Sequence, residues 1–526
     1  MIAGGPPAGG LAGNHDIRAD VVARLRGRRI HVLGLSGTEG STVVDFLLAH
    51  GITTITAHDL AGPDAFPGAF RRTHQWMTPD EQTAALERLA RAPITRCFGD
   101  RYLDGIDAAE IIYVTQAWFR HAGNEPVRRA RDRGVPLSSM TALFFETVPC
   151  PIVGVTGTNG KFTVVRLAAM MLARSGRATF ETGNDRTHVP ILYRLAEVTP
   201  EAVLVVEISN RQLVGLGYSP HVAVVTNVAA HHLDDHGSFE AYAETKRGIL
   251  AYQGAGDWAL LNGDDPVARG FAAGARGRVL FSSRTRPIDE GACVVDGRIV
   301  LRLDGREDDL ADAHLQSPGT HTLENALAAA LAARVAGADA GAIGAVLREF
   351  RGLPHRLALI AEAGGVRYYE DSLATNPAAA AAAVRAFDGP LVLLAGGMRR
   401  NASAQDFAPV AEALAARTVR GVVLFGTMAP LLAEAIAAAG VTAPVVRCTT
   451  LDEAVPAARA LAQPGDAVSL SPSCESFDQY RDYRHRAEHY QALVEALARD
   501  DAEGAATRPS AGSRDGTNAT GGRSWT

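Results

Sequence analysis

No stretch of this 526-residue sequence contains the ~18 continuous apolar residues expected of a membrane-spanning helix. Its beginning, MIAGGPPAGGLAGNHDIRAD, also lacks the basic flank and apolar core of a secretory signal. We therefore expect a cytoplasmic protein without a membrane partner.

Cysteine is scarce, and basic residues are not concentrated anywhere. The five cysteines form neither a CxxC pair nor the spacing of a disulfide framework, so we expect them to be reduced and mostly buried. A net charge of -6 is spread along the chain without the basic stripe that nucleic-acid binding requires. These absences favour an enzyme that acts on small molecules, and we expect it to be a monomer.

The chain is long enough for several domains, and its pattern of strands and helices occurs three times. In each block, short β-branched runs alternate with Ala/Leu-rich segments at helical spacing, which predicts an α/β fold with parallel sheets and crossover helices. The tails are rich in small and polar residues that cannot form a core. We predict disordered tails at 1–25 and 499–526, and domains at 26–149, 150–353 and 354–498.

The segment GVTGTNGKFTVV, residues 154–165, has the form of a phosphate-binding loop between a strand and a helix. In such a loop, glycines let backbone N–H groups face phosphate oxygens, and the lysine, here Lys161, contacts the outer phosphates. Phe162 stands where a serine or threonine usually helps to hold magnesium, although Thr163 follows. A ligand-free glycine-rich turn is the weaker alternative. We predict the nucleotide-binding residues Gly157, Thr158, Asn159, Gly160, Lys161 and Thr163.

Two further strands of the second block end in side chains suited to a metal. Glu207 ends the apolar run AVLVVEIS, and TNVAAHHLDDHG carries His231, His232, Asp234 and Asp235 beyond the next strand. Ligands gather at the carboxyl ends of strands in open α/β sheets, and carboxylate, phosphate and water oxygens suit Mg²⁺. The histidine-rich stretch by itself is typical of a solvated loop, but together with the phosphate loop it indicates a magnesium site.

Other candidate residues stay ambiguous from the pattern alone. Lys246 lies in the helical segment FEAYAETKRGIL, where an isolated lysine is usually a solvated surface charge. Arg356 and Asp371 flank a strand of the third block, where they would either contact a nucleotide or form a structural ion pair. In the first block, the turn GLSGTEGS and Asp59 at the end of the next strand suit a nucleotide diphosphate. Because its glycines read GxxGxxG and not GxGxxG, a nicotinamide cofactor is a weak interpretation.

Taken in order, these motifs resemble the Mur ligase family over most of residues 30–495. The resemblance is carried by GTNGK, VEISNRQL, NVAAHHLD, AYAETKRGIL, HTLENALAAA, GLPHRL, EDSLATNP, LAGG and LSPSCESFDQYRDYRHRAEHY. It implies Rossmann-like first and third domains, a P-loop ATPase-like second domain with a parallel sheet, and an ATP-dependent amide ligase. ATP would phosphorylate a carboxylate of a UDP-linked sugar peptide, and the amine of an amino acid would then attack the acyl phosphate, with Mg²⁺ neutralising the phosphates. The expected reaction in peptidoglycan precursor synthesis joins glutamate, most simply D-glutamate, to UDP-N-acetylmuramoyl-L-alanine.

The resemblance also implies a role for each matching residue. Lys161, Lys246 and His232 would be catalytic. Mg²⁺ would be held by Glu207, His232, Thr163 and Lys246, the last as a carbamate formed with CO2. The nucleotide would contact Asn325, Arg356 and Asp371; the uridine diphosphate would contact Leu35, Ser36 and Asp59; the sugar peptide would contact Asn184; and the amino acid would contact Arg400, Ser476, Phe477 and Tyr483.

The chain departs from the family pattern mainly in its substrate pockets. Leu373 stands where the motif Asp-Ser-Lys-Ala-Thr-Asn has its lysine, and Arg400 replaces a lysine that follows LAGG. Thr115-Gln116-Ala117 replaces Ser-Pro-Gly near the uridine. These departures leave open a paralogue that uses L-glutamate or another amino acid or acceptor, including one from specialised metabolism. Phe162 leaves open a catalytically impaired nucleotide-binding homologue.

Overall fold

The computed structural model describes residues 17–183, 188–229 and 237–506. The chain forms two compact units. The first runs up to Leu315 and includes Thr320–Phe350, and the second combines Gln316–Gly319 with the chain from Arg351 onward. None of the helices in the described ranges has the length and apolar character needed to cross a bilayer.

The first unit begins with a five-stranded parallel sheet in the order β3-β2-β1-β4-β5. Its central strand is completely buried, as expected where helices cover both faces of a parallel sheet. The strands are β1 (Ile30–Leu33), β2 (Ile55–Asp59), β3 (Thr95–Phe98), β4 (Ile111–Tyr113) and β5 (Leu137–Ser138). The helices are α1 (Ile17–Leu25), α2 (Thr38–Ala49), α3 (Phe66–Thr73), α4 (Pro79–Arg91), α5 (Glu125–Asp132) and α6 (Met140–Thr147).

A nine-stranded sheet follows in the same unit, in the order β14-β13-β12-β11-β10-β9-β6-β8-β7. Buried residues of the first and second sheets belong to one continuous apolar cluster. The strands are β6 (Ile152–Thr156), β7 (Thr179–Thr182), β8 (Val203–Glu207), β9 (Val222–Val225), β10 (Trp258–Asn262), β11 (Arg278–Ser283), β12 (Gly291–Val295), β13 (Arg298–Leu303) and β14 (Arg306–Asp312). The helices are α7 (Lys161–Arg174), α8 (Asn210–Leu213), α9 (Phe239–Arg247), α10 (Pro266–Gly270), α11 (Thr320–Val335) and α12 (Ala340–Glu349).

The second unit contains a six-stranded sheet in the order β15-β16-β20-β17-β18-β19, in which only the pair β15–β16 is antiparallel. Its strands are β15 (Ala358–Ala363), β16 (Val366–Glu370), β17 (Leu391–Gly396), β18 (Val419–Phe425), β19 (Val445–Arg447) and β20 (Ala467–Ser473). Its helices are α13 (Pro377–Arg385), α14 (Ala408–Ala415), α15 (Ala429–Ala438), α16 (Leu451–Leu461) and α17 (Tyr483–Ala506).

These three sheets confirm the α/β fold class. The structure also corrects two details of the prediction, one in the central sheet and one in the tails. The central sheet is parallel from β7 to β12, but the antiparallel strands β13 and β14 extend it. The predicted tails are partly helical, since α1 covers residues 17–25 and α17 continues to Ala506. Helix α1 is ordered because Val21, Val22 and Leu25 are buried. The exact domain boundaries stay predictions.

Candidate functional site

The phosphate loop lies at the carboxyl end of β6, a buried strand between β8 and β9. Two of its glycines have backbone conformations that favour glycine, with φ of 148° at Gly157 and 82° at Gly160. A Cβ at Gly157 would clash with the Thr226 hydroxyl, and a Cβ at Gly160 would clash with the side-chain amide of Asn325. The loop therefore requires glycine at both positions, and Asn325 of α11 lies directly against it.

Residues that follow β9 hold this loop in place. The Thr226 hydroxyl donates to the Asn159 carbonyl at 2.6 Å. The Thr158 N–H donates to the Asn227 carbonyl at 2.8 Å, and the Asn159 N–H donates to Asn227 Oδ1 at 3.0 Å. Sequence analysis missed Thr226 and Asn227, although their position directly after an apolar strand was the available signal.

Replacement of Gly160 by alanine should weaken nucleotide binding in addition to the backbone strain that alanine suffers at a positive φ. We expect Gly160→Ala to destabilise the fold by about 1 kcal/mol through its positive φ and to weaken ATP binding at least about tenfold, because the new Cβ displaces Asn325. Gly176→Ala is the matched control, since Gly176 has φ of 77° at the end of α7 but a Cβ added there would meet no atom within 4 Å. Thermal unfolding and calorimetric ATP titration measure both effects. Equal ATP affinity in the two variants would contradict the assignment.

Lys161 begins α7 and turns back toward the loop. Its Nζ donates to the Thr158 carbonyl at 3.1 Å and lies 3.8 Å from Glu207 Oε1, at the end of β8. Both side chains are about one-sixth exposed. The register of β6 with β8 pairs Val155 with Glu207, which explains why residues so distant in sequence meet beside the loop.

Lys246 is not a surface lysine, because it is 1% exposed. Its Nζ donates to the Gly157 carbonyl at 2.8 Å and lies 4.7 Å from the centre of the Tyr242 ring. Burial, together with the positive charge of Lys161, lowers the pKa of the Lys246 amine to about 7, against an opposing effect of Glu207. A substantial neutral fraction is thus present at neutral pH, and the neutral amine is the form that can react with CO2.

A compositional signal pointed to both lysines and was missed. The sequence contains 52 lysine and arginine residues, and only Lys161 and Lys246 are lysines. A chain that uses arginine for its other basic positions keeps lysine where arginine cannot substitute. Arginine has a planar guanidinium in place of the single compact amine.

The oxygen ligands available beside the loop suit a magnesium ion. Within the described ranges there is no group of three or more His, Cys, Asp or Glu side chains arranged to hold a metal. Glu207 supplies one carboxylate, and a carbamate on Lys246 would supply a second anionic oxygen donor, as Mg²⁺ prefers. His232 lies outside the described residues, so its role stays a prediction.

Phe162 occupies the first turn of α7. Its ring lies 6.0 Å from that of His188 in an edge-on arrangement, and both it and Thr163 are half-buried. This departure from the family pattern therefore places an aromatic side chain beside the phosphate loop.

In the first sheet, the turn after β1 is supported by Asp59 at the end of β2. Leu35 is buried, and Asp59, which is 3% exposed, accepts from the Ser36 N–H at 2.5 Å and the Ala61 N–H at 2.8 Å. Each carboxylate oxygen of Asp59 is thus bonded to backbone, and its contact with a ribose stays a prediction. Asn184 lies outside the described residues.

The second unit holds the other nucleotide candidates. Asp371 is buried directly after β16 and accepts from the Ser471 hydroxyl at 3.0 Å and the Leu357 N–H at 3.3 Å. Burial raises the pKa of Asp371 to about 7. Arg356 is exposed in the preceding loop. A nucleotide contact by Arg356 and Asp371 stays a prediction.

A buried arginine organises the predicted amino-acid pocket. Arg486 of α17 is fully buried and donates to the Ser372 hydroxyl and carbonyl, each at 2.9 Å, and to the Cys474 carbonyl at 3.1 Å. It thereby joins the loop after β16, which carries Leu373, to the loop after β20. Sequence analysis missed it, since spacing does not reveal which arginine of a helix points inward.

The remaining pocket candidates surround these joined loops. Ser476 is buried, Phe477 is 61% exposed, and Tyr483 lies edge-on to His355 at 5.4 Å. Met398 and Glu475 pair through their backbones, which places the segment of exposed Arg400 beside the loop of Ser476. The structure thus gathers Lys161, Glu207, Lys246 and Asn325 around one loop, and Arg400, Ser476, Phe477 and Tyr483 around another.

Two family models match the chain. The Mur ligase middle domain matches residues 155–333, and the Mur ligase glutamate ligase domain matches residues 355–474. The first match contains the phosphate loop, Glu207, Lys246 and Asn325.

Curated relatives cover nearly the whole chain. It is 37% identical to the UDP-N-acetylmuramoylalanine–D-glutamate ligase of Symbiobacterium thermophilum over 89% of this chain and 98% of that protein. The enzyme of the same name from Pelotomaculum thermopropionicum is 36% identical, with the same two coverages. Among solved structures, the MurF ligase of Thermotoga maritima in complex with ADP gives a TM-score of 0.50 at 17% identity over 91% of this chain and 97% of that one. This last similarity concerns the fold.

Proposed function

The chain belongs to the Mur ligase family, whose members are ATP-dependent amide ligases, and from this premise we propose that it adds D-glutamate to UDP-N-acetylmuramoyl-L-alanine. The observation that carries the proposal is the meeting of Lys161, Glu207 and Lys246 at the phosphate loop. The relatives with the D-glutamate ligase name support the choice of substrates.

The residues of the first unit suit phosphoryl transfer from ATP to a carboxylate. The N-terminus of α7 would face the phosphates, and Lys161 would neutralise charge as the γ-phosphoryl group moves to the acceptor carboxylate, with ADP leaving. The amine of the amino acid then attacks the acyl carbon, and phosphate leaves from the tetrahedral intermediate. Positioning of the three substrates supplies much of the rate.

Magnesium belongs to this proposal as a partner of ATP. Glu207 and carbamylated Lys246 would hold it, with Thr163 and His232 as further candidates from the family resemblance. When bound, the ion neutralises phosphate charge and polarises the transferring group. For the nucleotide, Asn325 lies at the loop, and Arg356 and Asp371 are kept as proposed contacts.

Phosphate release with each glutamate enantiomer tests the proposal directly. We expect turnover that requires ATP, UDP-N-acetylmuramoyl-L-alanine and D-glutamate together, with L-glutamate at least about tenfold poorer in kcat/KM. Omission of each substrate in turn provides the control. No turnover with either enantiomer would refute the proposal and favour an impaired homologue.

A second candidate keeps the chemistry and changes the amino acid. Leu373 stands where the family has a lysine, and it lies in the loop that Arg486 holds. The sequence has no lysine after Lys246, so no other lysine of the second unit replaces the missing one. The absence of the family lysine favours a different amino acid substrate, such as L-glutamate, or a different acceptor. Preferential turnover with L-glutamate in the same assay would select this candidate.

A further inference from the structure

The turn after β1 and the loop after β4 touch at the carboxyl edge of the first sheet. Gly34 has φ of 72°, and a Cβ there would lie 2.7 Å from Thr115 Cγ2. Helix α2 begins a few residues later and carries Glu39 in its first turn. The loop of Thr115, Gln116 and Ala117 therefore lies against the helix N-terminus that suits the acceptor's diphosphate.

Gln116 forms hydrogen bonds through both its backbone and its side chain. Its backbone N–H donates to Glu39 Oε2 at 2.8 Å, and its side-chain Oε1 accepts from the Ser209 hydroxyl at 3.1 Å. Ser209 caps α8 in a capping box with Gln212 and follows Glu207 by two residues. A short chain of bonds thus joins the first turn of α2 to the strand end beside the phosphate loop.

The bond to Glu39 depends on a departure of this chain from its family. The family pattern has Ser-Pro-Gly where this chain has Thr115-Gln116-Ala117, and proline has no N–H to donate. Glutamine supplies both the N–H for Glu39 and the side-chain oxygen for Ser209. Burial raises the pKa of Glu39 to about 7, which reduces its negative charge beside a bound anion at neutral pH.

We propose that Gln116 is a positioning residue that fixes the UDP-linked acceptor relative to the phosphate loop, with Glu39 and Ser209 as its two anchors. This inference rests on the proposed function. It assigns acceptor affinity and alignment to a residue that does not belong to the nucleotide site.

Calorimetry with the acceptor and with a non-hydrolysable ATP analogue tests the assignment without turnover. Gln116→Ala removes the bond from Ser209 and keeps the backbone N–H that donates to Glu39. We expect acceptor affinity to fall about tenfold while ATP-analogue affinity stays within about twofold. Gln116→Pro removes both bonds and should weaken the acceptor further. Glu39→Gln keeps an acceptor oxygen for the Gln116 N–H and should retain acceptor affinity. Gln82→Ala is the matched control, because Gln82 of α4 donates to the His74 carbonyl and not to either anchor.

Steady-state kinetics distinguishes a positioning role of Gln116 from a purely structural one. Gln116→Ala should raise the acceptor KM and lower kcat, because the carboxylate is misaligned, and leave the ATP KM unchanged. Unchanged acceptor binding in Gln116→Ala, or equal weakening of acceptor and ATP analogue, would overturn this inference alone. If the wild-type protein does not bind the acceptor at all, the proposed function fails and the inference fails with it.

Discussion

Replacement of Lys246 by alanine is expected to lower kcat by about 10³-fold or more while the protein stays folded. In the proposed carbamylation the amine attacks CO2, loses a proton and becomes a carbamate, and alanine cannot form this anionic donor. Since only neutral lysine reacts and its pKa is about 7, carbamylation and activity should rise as pH increases through 7 and fall below it. Phosphate release at several pH values and bicarbonate concentrations measures the effect.

The chain offers an unusually clean control for this experiment. Because Lys246 is one of only two lysines, ¹³C-labelled bicarbonate should give a readily assigned lysine carbamate carbonyl resonance, which should disappear in Lys246→Ala. Short carboxylates such as acetate should partly restore the variant's turnover. Arg247→Ala, which removes a half-exposed neighbour paired with Glu244, should retain activity. Full turnover in Lys246→Ala would refute its assigned role.

Replacement of Lys161 by methionine should lower kcat/KM for ATP by about 10³-fold, because the proposed phosphate site would lose the cation that lies against its loop. A second effect concerns Lys246. The charge of Lys161 helps to lower the pKa of Lys246, so its removal should raise that pKa and reduce the carbamylated fraction at pH 7.

Lysine-selective ¹³C labelling makes this second effect measurable. In Lys161→Met the one remaining lysine is Lys246, and its Cε resonance should titrate at higher pH than in the wild-type protein. Arg166→Met on the same helix is the control, since Arg166 pairs with Glu181 and should leave both ATP turnover and the Lys246 titration unchanged. An unchanged Lys246 titration in Lys161→Met would show that the two amines are not coupled.

The sequence alone determined the parts of this protein that depend on local order. The repeated alternation of apolar strands and helices predicted three α/β blocks, and GTNGK between a strand and a helix predicted the phosphate loop. Glycine spacing and strand ends are local properties, because backbone conformation and strand direction follow from neighbouring residues. The order of motifs along the chain was enough to indicate the family.

Tertiary structure decided the features that depend on distant neighbours. From its helix alone Lys246 resembled a surface charge. In the fold its amine donates to the carbonyl of Gly157, 89 residues away, and burial together with Lys161 lowers its pKa. The two bonds of Gln116 join residues 77 and 93 positions apart, and Arg486 holds Ser372 across 114 positions. Spacing in a sequence does not encode such contacts, because desolvation and hydrogen bonding are set by which side chains the fold brings together.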